Sequence, residues 1–135
     1  MEKLRNILRK VPTGLLSGVT LAVILWLTLA PHPTGDLDLP LFPGADKVVH
    51  ALMFGFLGFV ILLEMMKRIN WKPLSLVTIG AVAFIISAFG VGIEFAQRAM
   101  GMGRGLEILD MLADAAGAFT AAGVWAAVQD AFALK

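Results

Sequence analysis

The sequence predicts an all-α membrane protein, a single domain built as a bundle of four transmembrane helices. Composition is the first reason. Of 135 residues, 59% are hydrophobic and only 16% charged, and mean hydropathy is +0.84; soluble domains carry roughly 45–50% apolar residues. The second reason is the arrangement of that apolarity in long runs near the ~20 residues that a span requires, with room for about four. The third is that the charges gather between the runs and at their ends. A net charge of +1 leaves no basic stripe for phosphates, so nucleic acid is not an expected partner. The absence of cysteine excludes disulfides, a thiolate nucleophile and Cys-based metal sites.

Met1–Lys10 interleaves Lys3, Arg5, Arg9 and Lys10 with leucines and Ile7. It reads either as a basic flank that sets orientation or as a short amphipathic helix on an anionic leaflet. The first span covers residues 14–30. A basic flank before an apolar run also fits a signal peptide, but Leu27–Ala30 is a poor cleavage site with Pro31 behind it, so a retained helix is expected. Residues 31–45 form a Pro- and Gly-rich acidic loop with Asp36 and Asp38. Asp46, Lys47 and His50 open the second span, residues 47–66, with Asp46 suited to the helix N-terminus. Glu64, Lys67, Arg68 and Lys72 mark its far end, and Trp71 is expected as an interfacial anchor.

Pro73 is expected to start the third span, residues 73–97, uncharged until Glu94. Arg98–Gly105 is a short loop with three alternating glycines, read as a flexible turn more readily than as an anion cradle. The fourth span covers residues 106–128. Ala113, Gly117 and Ala121 form a small-residue ridge along it, and Gly55 and Gly58 offer the same on the second span.

Lys and Arg concentrate before span one and between spans two and three, which predicts both termini on the cytoplasmic side of a bacterial plasma membrane. Asp46, Lys47 and His50, then Glu94 and Gln97, then Arg104, Glu107, Asp110 and Asp114 are thereby carried to the opposite side. Glu94, Gln97 and Arg98 share a helix face, as do Glu107, Asp110, Asp114 and Gly117. A lipid-facing Asp114, about 12–14 Å below the loop, would be costly, so it is expected to face inward. The prediction is an outward-facing acidic pocket between spans two, three and four.

This constellation resembles the VanZ-like family of small multi-pass membrane proteins, over roughly residues 46–117. The resemblance rests on Asp46-Lys47-x-x-His50, Glu94-x-x-Gln97, Arg104, Asp110 and Gly117. Asp114 stands where Asn is common in that family and adds an acid to the pocket. The family's namesake is associated with low-level resistance to the glycopeptide teicoplanin, so the resemblance implies a role in the cell envelope.

Three functions suit the residues. The pocket could bind an envelope lipid headgroup, a lipid-linked cell-wall intermediate or an amphipathic antibiotic, with Arg98 and Arg104 at its mouth for anionic groups. It could instead be an enzyme site acting on such a lipid. There His50 with Glu94, Asp110 or Asp114 would hold a divalent metal, or a buried acid would exchange protons; no hydrolase motif such as H-E-x-x-H is present, and His32 could join only if its loop folds back. Third, the same residues could satisfy one another as an interhelical network with no ligand. No resident cofactor is expected beyond that optional metal.

Overall fold

The structure, a computed structural model, describes residues 1–30, 42–101 and 107–135. It is all-helical over those residues: α1 (Glu2–Lys10), α2 (Leu15–Leu29), α3 (Ala45–Arg68), α4 (Leu76–Ala99) and α5 (Ile108–Phe132). Helices α3, α4 and α5 are each long and apolar enough to cross a membrane; α2 qualifies only when joined to α1, from which it is bent by 71°. The expected spans are all present as helices, with ends shifted by a few residues.

The polarity of the bundle is inverted relative to a soluble protein. Val77, Leu76, Phe84, Leu52 and Ile85 are exposed on its outer surface, whereas Glu64, Glu94, Gln97, Asp110, Asp114 and Gln129 are buried. Lipid accepts the first group without penalty, and the second must find partners inside.

Helix α5 packs mainly on α3 and α4, and glycine sets how closely. A Cβ on Gly117 would fall on the backbone carbonyl of Ala51, and one on Gly55 would lie 3.2 Å from the Gly117 carbonyl oxygen. Two backbones in contact give dispersion energy where no hydrophobic effect operates between helices. Deeper in, Phe54, Leu62, Met66, Trp71 and Trp125 form the apolar core, with Phe59 edge-on to Trp125 at 5.0 Å.

Polar side chains secure the breaks between helices. Glu64 Oε1 accepts from the backbone N–H groups of Gly14 and Leu16 at 3.0 and 3.1 Å, and its Oε2 accepts from Ser17 Oγ at 2.5 Å. The carboxylate thus caps the N-terminus of α2, whose N-cap Gly14 has φ +91° and no capping side chain of its own. Lys67 Nζ donates to the Val11 carbonyl. At the α3–α4 connection, Gln129 Oε1 accepts from Leu74 N at 2.8 Å and its Nε2 donates to Leu74 O at 3.1 Å.

Two sequence expectations fail at that connection. Trp71 is no interfacial anchor: it is 1% exposed in the core, held there because Asn70 and Trp71 both take left-handed φ (58° and 62°) and turn the chain inward. Pro73 does not start α4; Ser75 does, with Oγ accepting from Thr78 N at 3.1 Å. At Met1–Lys10 the structure shows a helix, with no buried residue and Arg5 Nη1 donating to the Phe132 carbonyl at 3.3 Å.

Candidate functional site

The N-termini of α3 and α5 and the C-terminus of α4 meet at one end of the bundle. The basic residues of α1, of the α3 C-terminus and of Lys72 lie at the other end, as the Glu64, Lys67 and Arg5 contacts require. Helical rise places His50, Glu94 and Asp114 each about 8–9 Å in from its helix end, at a common depth. Because α5 starts at Ile108, Asp114 is shallower than the expected 12–14 Å. Asp46, Lys47, Glu107 and Asp110 form an outer tier closer to the helix ends.

The outer tier centres on Lys47. Its Nζ lies 2.6 Å from Asp46 Oδ2 and 2.7 Å from Asp110 Oδ1, and it also pairs with Glu107. Asp46 occupies the first turn of α3, as expected, with Gly44, at φ 82°, as the N-cap.

In the inner tier, His50 Nδ1 is 2.8 Å from Asp114 Oδ1, and His50 Nε2 is 3.7 Å from Asp110 Oδ2. With Asp114 ionised, Nδ1 carries a proton and donates it, and in the neutral imidazole Nε2 presents its lone pair toward Asp110. Phe54, one turn along α3, stacks on the imidazole with ring centroids 6.5 Å apart. Glu94 and Asp114 are fully buried, at 0% exposure. Glu94 Oε2 accepts from the N–H of Glu107, the α5 N-cap, at 3.2 Å. Glu94 Oε1 and Asp114 Oδ2 have no hydrogen-bond partner among the described residues. One ligating atom each of His50, Glu94 and Asp110 lie within 4.8 Å of one another; Asp46, Glu107 and Asp110 form a second, more exposed group of the same kind.

The structure therefore brings together Asp46, Lys47, His50, Glu94, Glu107, Asp110 and Asp114, from three helices. Gln97 is buried beside them but works elsewhere: its Nε2 donates to the Thr28 carbonyl at 2.6 Å, serving the C-terminal end of α2. Arg98 is exposed in the last turn of α4, at the cluster end of the bundle. Arg104 and His32 lie outside the described residues.

Sequence reasoning missed two contributors. Gly90 has no Cβ where Asp114 sits; the signal was a glycine one turn before Glu94 on the same helix face. The other is an apolar groove along the seam of α3 and α5, about 600 Å³, walled by Ala51, Gly55, Phe56, Phe59, Gly117 and Ala121 among others. It begins one residue beyond His50 and runs away from the polar cluster. Its width follows from the small residues that the Gly55–Gly117 approach demands.

No family model, curated protein or solved structure matches the chain. What defines the chain is thus its own geometry: an all-helical membrane protein with a buried ionic cluster at one end of the bundle.

Proposed function

We propose that this protein binds an amphiphile of the bacterial cell envelope at the non-cytoplasmic face of the plasma membrane. The headgroup would lie against the ionic cluster and an acyl or prenyl chain in the α3–α5 groove. Both termini would be cytoplasmic, in keeping with the basic end of the bundle. The observation that carries this reading is the nearness of the two features on α3: the groove is lined from Ala51, the residue after His50 and one turn from Lys47. A polar cluster with an apolar groove beginning beside it suits a molecule with a polar head and an apolar tail better than a free polar solute.

Envelope lipids, lipid-linked cell-wall intermediates and amphipathic antibiotics share that chemistry. The resemblance of Asp46-Lys47-x-x-His50, Glu94-x-x-Gln97, Asp110 and Gly117 to the VanZ-like pattern points to the same compartment and, through the family's namesake, to glycopeptides. Five carboxylates surround one lysine and one histidine here, so the site favours a headgroup that brings positive charge or hydrogen-bond donors.

Native mass spectrometry of the detergent-purified protein and of Ala116→Phe tests the reading. Ala116 is an exposed groove residue, so the added ring fills the groove without entering the core. A lipid adduct on the parent that is lost in Ala116→Phe is the expected result. A parent that carries no adduct from native membranes or from added envelope lipid, or an adduct indifferent to Ala116→Phe, would overturn it.

A further inference from the structure

We infer that His50, Glu94 and Asp110 form a binding site for a single divalent transition-metal ion, with Asp114 positioning the histidine. The inference concerns the ion itself and stands whether or not an amphiphile binds in the groove.

Three features of the geometry lead there. First, one imidazole and two carboxylates from three different helices bring ligating atoms within 4.8 Å of one another, a spacing that small side-chain shifts close onto a single cation at ordinary ligand distances of about 2.0–2.2 Å. Second, Glu94 is completely buried, yet Oε1 has no hydrogen-bond partner among the described residues. A buried carboxylate oxygen without a donor is costly, and a bound cation removes that cost. Third, the histidine is oriented as metal-binding histidines are. Asp114 Oδ1 holds Nδ1 at 2.8 Å, fixing the ring so that Nε2 faces Asp110 Oδ2; a carboxylate on the far nitrogen is the common outer-shell partner of a ligating imidazole.

The two oxygens of Asp110 are divided between tasks. Oδ1 pairs with Lys47 and Oδ2 faces the histidine, so Lys47 need not leave for an ion to enter. Imidazole beside carboxylates suits borderline Zn²⁺ and also admits Mn²⁺, ahead of Ca²⁺ or Mg²⁺, which prefer all-oxygen shells. Three protein ligands leave coordination positions for water or for a headgroup oxygen. A divalent ion would also offset the surplus of negative charge, opening the site to a phosphate-bearing headgroup that the acids alone would repel.

The test uses the full chain in detergent and Mn²⁺ alone, followed by loss of the free-ion electron paramagnetic resonance signal, with Zn²⁺ as competitor. The parent should bind one Mn²⁺ per chain, displaced by Zn²⁺. Glu94→Gln and Asp110→Asn should each abolish binding, and Asp114→Asn should weaken it about 10–100-fold. Glu107→Gln, altering only the exposed outer tier, should bind within about twofold of the parent. A parent that binds no Mn²⁺ or Zn²⁺ overturns the inference without reference to any variant. So does a Glu94→Gln protein that binds like the parent, which would place the ion at the outer carboxylates. Ala116→Phe should keep its metal while losing lipid, so the two proposals fail separately.

Discussion

Gly90 of α4 and Asp114 of α5 share one space. A Cβ added to Gly90 would lie 2.7 Å from Asp114 Oδ2 and 2.9 Å from Asp114 Cβ. The carboxylate reaches full burial only because position 90 lacks a side chain, and that burial delivers Oδ1 to His50. A single missing methyl on one helix thus sets the direction of an imidazole on another.

Gly90→Ala should therefore destabilise the fold by about 1–3 kcal/mol, the usual cost of overpacking, and should weaken Mn²⁺ binding through displacement of Asp114. Gly92→Ala supplies the control, since nothing lies within 4 Å of its added Cβ. There the gain in helix propensity, up to about 1 kcal/mol, should be neutral or stabilising. Unfolding in mixed micelles and the Mn²⁺ titration read the two effects. Equal behaviour of the two variants would refute the packing argument.

The same reasoning applies more severely to Gly117. Its added Cβ would meet the Ala51 carbonyl, which is backbone within α3 and has no rotamer to change. Gly117→Ala should force α3 and α5 apart and give little folded protein, whereas Gly123→Ala in the same helix, with open space around it, should express and unfold like the parent. Monodisperse yield after size exclusion is the measurement.

These two glycines also show which parts of the structure were legible in the sequence. Gly117 could be read from the Ala113, Gly117, Ala121 ridge, because small residues at helical spacing in an apolar run have few other uses. The acids at Asp110 and Asp114 could be read because lipid penalises charge, so ionisable groups in a span must face inward. Roles that depend on pairing between distant residues could not be read. Gln97 falls one turn from Glu94 on the same face, yet it serves Thr28 of α2. Trp71 beside a basic run matched an interfacial anchor, and only the left-handed turn at Asn70 and Trp71 sends it into the core. Arg98 shares a predicted face with Glu94, but lies near the end of α4 and is exposed.

Glu64 offers a prediction at the opposite end. It read as a marker of the span's end, but it supplies both oxygens to the first turn of α2. Glu64→Ala leaves the Gly14 and Leu16 N–H groups without their acceptor, at about 1 kcal/mol, the usual cost of a lost helix cap. Amide exchange at residues 14–17 should accelerate, while Mn²⁺ affinity stays at the parent value because the cluster is at the far end of the bundle. Protection unchanged at residues 14–17 would show that the carboxylate is not the cap.

Orientation in the membrane decides whether the cluster meets the envelope or the cytosol. The chain has no cysteine, so a single introduced thiol reports its own side of the membrane. Met100→Cys, just beyond α4 at the cluster end, and Ile69→Cys, just beyond α3 at the basic end, are both exposed positions. Neither changes a charge, so neither should disturb the bias that sets topology. A membrane-impermeant maleimide applied to intact spheroplasts should label Met100→Cys and reach Ile69→Cys only after permeabilisation. The reverse pattern would place the ionic cluster in the cytosol. The proposed envelope ligand would then be ruled out, while the fold and the metal site would stand.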